Sequence, residues 1–206
     1  MWSRSSYAKK MDPVLNTACR AISGCLKPTQ VDNLNLLCSS APLSTRREVT
    51  SQVEQTKQEV DPRHPLYQHK LAKTRHKSRR SFLHDVQPLK GNIPTHRIEA
   101  WSRQLEAQPH KLSFNPKESP SPGASEPWPI WLCLNRVRVG VGRCKALIHL
   151  WGCDTNDNDL CDCGEAPQTM EHLLPCPLLP EPCRPDDLEV FNPHARACDL
   201  LWPRKM

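Results

Sequence analysis

Apolar positions recur at helical spacing at the two ends of the chain, with a polar, proline-punctuated stretch between. Over the first 60 residues the pattern predicts three helices. Asp12 suits an N-cap and Pro13 a first helical position, after which Val14, Leu15, Ala18, Cys19 and Ile22 share a face until Gly24. Thr29 opens a second helix with Val31, Leu34, Leu37 and Cys38 on one side. Ser44 opens a third, carrying Val49, Val53 and Val60. Each is too short to stand alone in water, so the helices need one another or a partner chain. From about Asp61 to Pro127 the periodicity vanishes, and SPSPGASEPWP reads as linker. Order resumes at Trp128. PIWLCLNRVRVGVGRCKALIHLWG reads as helix, a break at Gly140–Gly142, then helix, with a strand across the β-branched RVRVGV as the competing reading. Asn192-Pro193 cap a closing helix whose Ala195, Cys198, Leu201 and Trp202 share a face.

Composition explains why so little of the chain is periodic. Leu, Ile, Val and Phe make up about a fifth of the residues, at the lower edge of what orders a chain throughout. Proline reaches 21 of 206 residues and glycine only 7, which argues against one large core. No run approaches the length of a membrane span, and MWSRSSYAKKMD has no apolar stretch behind its charges. The expected address is nuclear or cytoplasmic. There the eleven cysteines, an odd number, stay reduced.

Charge is unevenly placed. The net charge is +6, and residues 61–103 carry ten of the Lys and Arg against three acids. Within them KTRHKSRRSFL and its flank hold Lys70, Lys73, Arg75, Lys77, Arg79 and Arg80 without an acid, a docking site for a polyanion, a nuclear-localisation signal or a charged loop. A second basic group, Arg136, Arg138, Arg143 and Lys145, could track phosphates if the Arg residues alternate on an extended segment, and is otherwise a solvated face. Residues 152–176 run the other way, with six acids and no Lys or Arg.

The segment CDCGEAPQTMEHLLPC places Cys161, Cys163, His172 and Cys176 as C-x-C-x(8)-H-x(3)-C. Three thiolates and an imidazole are a common tetrahedral set for structural zinc, with no position left open for catalysis. Gly164 permits a tight turn after the first pair, Thr169 can cap a short helix, and Pro175 ends it before Cys176. Cys153 and Cys183 lie near enough in sequence to substitute for one ligand. The competing reading is reduced cysteines and a surface histidine. No phosphate-binding glycine loop, nucleophile elbow or strand-borne acidic pair is present, and Asp186-Asp187 follows a proline run with no strand before it.

The strings WSRSSYAKKMDPVLNTACRAISGCLKPT, RREVTSQVEQTKQ, DPRHPLYQH, KSRRSFL, LNRVRVGVGRCKALIHLWG and CDCGEAPQTMEHLLPCP occur in this order. Together they resemble the C-terminal, post-palm region of the reverse transcriptase polyprotein of jockey-like non-LTR retrotransposons. The resemblance spans nearly the whole chain, is strongest over 1–30 and 128–177, and departs from the family pattern at SSAPLST. It implies thumb-like or post-palm helices followed by the family's Cys/His knuckle at Cys161, Cys163, His172 and Cys176. It implies no catalysis, because the polymerase aspartates of the family match no position of this chain. Knuckles of that family are associated with engaging template RNA or target DNA.

The expected fold is therefore mainly α: a helical segment over 1–62, a basic, Pro-rich, largely disordered linker over 63–127, and a helical module over 128–206 with a CCHC zinc knuckle at 161–176. The expected function is largely nonspecific RNA and DNA binding by a non-catalytic reverse transcriptase fragment, through basic segments organised by zinc. The acidity of 152–176 gives the knuckle itself a structural part and leaves phosphate contact to Arg136, Arg138, Arg143 and Lys145. The alternatives are a fragment that docks on a reverse transcriptase core through Leu15 and Ile22, and a non-functional retroelement relic. No membrane partner and no small-molecule substrate are expected.

Overall fold

The structure is a computed structural model and describes residues 7–69, 86–89, 91–107, 112, 115–117, 119–153 and 158–201. Among these residues it is mainly helical. Eight helices follow in order: α1 Ala8–Ser23, α2 Val31–Leu37, α3 Leu43–Val60, α4 Ile93–Glu106, α5 Trp128–Val139, α6 Lys145–Leu150, α7 Pro185–Val190 and α8 Pro193–Leu201. The only strand-like pairing among them is a single antiparallel bridge between Leu160 and Pro167. Among the described residues no helix is long and apolar enough to cross a membrane.

The chain divides into two compact units. The first comprises Met1–Leu15 and Ala41–Pro109, the second Asn16–Ser40 and His110–Met206. The units thus do not follow sequence order: the chain passes between them three times, and α2 and the end of α1 belong with the C-terminal half.

In the first unit α3 packs on α4. Val49 of α3 and Trp101 and Leu105 of α4 are buried, with Leu89 beside them in the core. Polar bonds supplement this small apolar set. Thr45 Oγ1 donates to Gln104 Oε1 at 2.8 Å, the His96 and Gln52 side chains meet at 2.9 Å, and Leu89 N–H donates to Thr56 Oγ1 at 2.8 Å. Helix α4 falls inside the expected linker. Pro94 sits in its first turn, where the missing N–H costs nothing, so the proline starts a helix here instead of breaking one. Trp101 and Leu105, four apart, then form its buried edge.

Helix α1 also begins earlier than its cap residues predict. Ala8–Met11 are strong helix formers, which carry the helix past Pro13 into an interior position. Asp12 is not a cap; its carboxylate holds Arg47 of α3 at 2.8 Å. Thr29 is buried but does not cap α2, whose N-cap is Gln30 without a side-chain bond.

The second unit holds most of the apolar core. Trp131, Cys133, Leu134 and Val137 of α5 pack with Cys144, Leu173, Leu179, Leu188, Ala195 and Cys198. The helix–break–helix reading of 128–150 matches the structure: α5 stops at Gly140, in the left-handed region at φ 66°, and α6 follows. Asn192 caps α8 as read, its Oδ1 accepting the N–H groups of His194 and Ala195 at 3.0 and 3.1 Å.

Polar side chains of α5 supply donors to helix ends. A helix leaves its last carbonyls unmet, and burial makes that costly. At the end of α1, Trp131 Nε1 donates to Ile22 O at 2.9 Å, Asn135 Nδ2 to Ser23 O at 2.9 Å and Arg136 Nε to Gly24 O at 3.0 Å. Gly24 itself has φ +70°, and a Cβ there would lie 2.8 Å from Leu132 Cγ, so only glycine fits the approach. Just before α5, Ser121 Oγ bridges the carbonyls of Leu36 and Leu37 at the end of α2, at 3.1 and 3.0 Å.

Candidate metal centre

The segment 158–176 is shaped by its own backbone before any ligand acts. Around the Leu160–Pro167 bridge, Cys161 N–H donates to Ala166 O at 2.9 Å and Gln168 N–H to Asp159 O at 2.8 Å. Gly164 closes the turn with φ +80° and its N–H on Cys161 O. The turn brings Cys161 and Cys163 to one end of the loop. The chain then makes one helical turn rather than a full helix. Thr169 Oγ1 accepts His172 N–H at 3.1 Å, and Leu173 N–H reaches Thr169 O at 3.2 Å. Pro175 brings no N–H to extend the turn, and Cys176 follows just beyond it.

The result places one ligand atom from each of Cys161, Cys163, His172 and Cys176 within 4.8 Å of all the others. Cys161 Sγ and Cys176 Sγ are 3.8 Å apart, and Cys163 Sγ and His172 Nε2 are 3.2 Å apart. Two thiolates on a tetrahedral zinc, with Zn–S arms of about 2.3 Å, stand about 3.8 Å apart. These four residues could hold a metal ion. Cys161 and Cys176 are buried, while Cys163 and His172 are half-buried at the rim. The backbone N–H of Glu165 and the His172 ring pull the Cys163 thiol down to about 7. Burial pushes Cys176 up to about 11, so its thiolate calls for a neighbouring cation. Cys153 is exposed and Cys183 buried, and neither belongs to the group of four.

Neighbouring elements hold the loop in place. Gln168 is buried and accepts Lys145 N–H through Oε1 at 3.1 Å, while Ala146 N–H donates to Gln168 O at 3.2 Å. Gln168 thereby satisfies the first turn of α6, whose N-cap residue Cys144 offers no side-chain bond. Lys145 Nζ reaches Leu160 O at 3.1 Å and Asp162 Oδ1 at 2.6 Å. Gln168 belongs to no motif of the sequence, because its side chain serves the fold.

The two basic groups fare differently from the ligand set. Lys70, Lys73, Arg75, Lys77, Arg79 and Arg80 lie outside the described residues. Arg136, Arg138, Arg143 and Lys145 do not form one phosphate-tracking row, because 128–139 is a helix and not an extended strand. Arg138 is buried at 5% exposure, with Nε on Leu188 O at 2.9 Å and Nη2 on Pro122 O at 2.9 Å. Arg136 is engaged by Gly24 O, and Lys145 by the loop of the metal ligands. Arg143 is exposed. Asp187, one of the adjacent acids, is a helix-capping group: it accepts Arg184 N–H at 2.7 Å and Asn192 Nδ2 at 2.6 Å. Those bonds hold its carboxyl below the usual carboxylate range.

Fold and site together define a mainly helical chain with a Cys3His cluster able to hold a metal ion. No family model matches the chain, and no curated protein or solved structure matches it.

Proposed function

We propose that the chain is a non-catalytic, post-palm part of a jockey-like retrotransposon reverse transcriptase, whose second unit is built around a structural zinc and which binds RNA or DNA with little sequence preference. The observation that carries this reading is the convergence of Cys161, Cys163, His172 and Cys176. Three thiolates, one neutral imidazole and Zn²⁺ leave a net charge of about −1 and fill the coordination sphere. The ion's part is to fix the fold, and acidic Asp162, Glu165 and Glu171 around it repel phosphate. Nucleic-acid contact then falls to Arg143 and to Lys70, Lys73, Arg75, Lys77, Arg79 and Arg80. A nuclear or cytoplasmic address goes with this reading.

The test is a salt series with a fluorescent single-stranded oligonucleotide. Four to six phosphate contacts on a single strand make affinity fall by about fifty- to three-hundredfold between 50 and 200 mM salt, and Arg143→Ala lowers the salt slope by about 0.7. Affinity that is flat with salt overturns the binding reading.

A second reading, docking on a separately supplied reverse transcriptase core, is favoured by one observation. Ile22 of α1 is 58% exposed, while Leu15, the other residue expected at that contact, is half-buried. A pulldown of such a core that is lost on Ile22→Glu and unaffected by nuclease supports it; loss with nuclease supports nucleic-acid bridging instead.

A further inference from the structure

Two stretches of the second unit carry no acid. Residues 16–31 hold Arg20 and Lys27, and residues 127–153 hold Arg136, Arg138, Arg143 and Lys145, with no Asp or Glu in either. The fold lays one on the other, since Trp131, Asn135 and Arg136 of α5 donate to the carbonyls of Ile22, Ser23 and Gly24. Arg136 Nε holds Gly24 O at 3.0 Å and Arg20 Nη2 holds Thr29 O at 3.4 Å. Both guanidiniums therefore stand on the segment 24–29, which also presents exposed Lys27. Arg143 joins them because the turn after α5 folds back. Val141 N–H donates to Arg136 O at 3.0 Å, and a Cβ on Gly142 would lie 3.5 Å from Arg136 Cβ. Arg138 and Lys145 are spent on Leu188 O and Asp162. No carboxylate pairs with Arg20, Lys27, Arg136 or Arg143 among the described residues. Burial and the nearby Arg143 charge both lower the pKa of the Arg136 guanidinium, and an anion between the two cations relieves the repulsion.

We infer that Arg20, Lys27, Arg136 and Arg143 form a phosphate site for the backbone of a single-stranded nucleic acid, with Trp128 as the stacking platform for one of its bases. A guanidinium is a planar fork of donors that matches a phosphate, and one bond to a carbonyl leaves the rest of the fork over. Trp128 opens α5 two turns before Arg136, at helical spacing from Leu132, which abuts Gly24. It is 51% exposed. The helical rise sets it about 12 Å from Arg136 along the axis, a span of a few nucleotides. An acidic peptide would use the cations and leave the indole idle, whereas a single strand uses both. The site rests on the nucleic-acid reading and gives it contacts away from the basic run at 70–80.

The test measures binding of a short fluorescein-labelled oligothymidylate to the full chain over a salt series. Arg20→Gln, Lys27→Gln and Arg143→Gln together should lower the magnitude of the salt slope by about two. Arg136 stays in place, because its Nε holds Gly24 O. Trp128→Ala should weaken binding about tenfold at every salt concentration and leave the slope unchanged. Circular dichroism checks that each variant keeps its helices. A triple variant with the wild-type slope overturns this site and leaves the nucleic-acid reading to the basic run at 70–80. Binding by the wild-type chain that is flat with salt overturns both. Wild-type affinity in Trp128→Ala, with polyglutamate displacing the strand as well as unlabelled oligothymidylate does, overturns the proposal in favour of an acidic protein surface.

Discussion

The two units are held together by different means. The first rests on a two-helix contact with a short list of buried apolar side chains, chiefly Val49, Leu89, Trp101 and Leu105, and on side-chain bonds between α3 and its neighbours. The second has a larger apolar core, carbonyl-capping donors from α5, and a ligand set that joins Cys161 to Cys176 across fifteen residues. Apolar residues being scarce in this chain, each unit supplements its core with what it has. One uses hydrogen bonds between helices, the other a Cys3His cluster able to hold a metal ion, which on the proposed reading replaces core. The contrast shows how a sequence at the lower edge of foldability can still be ordered in part: a metal contributes binding free energy directly to folding.

On the proposed zinc reading, the largest effect that separates the units is metal removal. A chelator, or Cys176→Ser, should strip amide protection from the second unit and leave α3 and α4 as they were. Structural zinc supplies on the order of 10 kcal/mol of apparent binding free energy, more than a small unit's whole stability. Hydrogen exchange read by peptide reports both units at once. The complementary variant is Trp101→Ala, which opens a cavity under the α3–α4 contact and should cost about 3–5 kcal/mol in the first unit. Zinc stoichiometry should not change. If both units melt together in either experiment, the contrast is wrong.

Arg138→Ala sharpens the account of α5. It removes the donors to Leu188 O and Pro122 O, and should destabilise the second unit by about 2–3 kcal/mol in urea titrations. Oligonucleotide affinity of the folded fraction should stay within a factor of about two, since the guanidinium is buried. A large affinity loss without a stability loss restores the phosphate-tracking row. The smallest effect is a pH dependence. The Asp187 carboxyl is held below its ordinary range, chiefly by Arg184 N–H, so its contribution is full above that range and fades as pH falls through the lowered value. Asp187→Ala should flatten this part of the acid limb of thermal stability, and an unchanged limb would remove Asp187 as the cause.

What was legible in the sequence follows from how local each signal is. The Cys/His cluster was readable because its residues lie within sixteen positions, and the turn elements Gly164, Thr169 and Pro175 are local as well. Asn192 was readable for the same reason. Arg138 was misread because its partners, Leu188 and Pro122, are fifty and sixteen positions away, and no pattern in RVRVGV distinguishes a carbonyl-capping cation from a phosphate-binding one. Helix α4 is hard to read because only Trp101 and Leu105 form its buried edge, and Pro94 marks a helix start as readily as a break. The grouping of 16–40 with the C-terminal half depends on Trp131, Asn135 and Arg136 finding carbonyls more than one hundred positions back, which periodicity does not encode.

The central claim is that an ion held by Cys161, Cys163, His172 and Cys176 builds the second unit. Native mass spectrometry on the intact chain, paired with hydrogen exchange, tests it most directly. The account predicts one zinc per chain, its loss in His172→Ala, and with it the loss of protection from Trp128 to Cys198 while Leu43–Val60 stays protected. A chain that carries no zinc and still protects Trp128–Cys198, or a His172→Ala variant that keeps both zinc and protection, would contradict it.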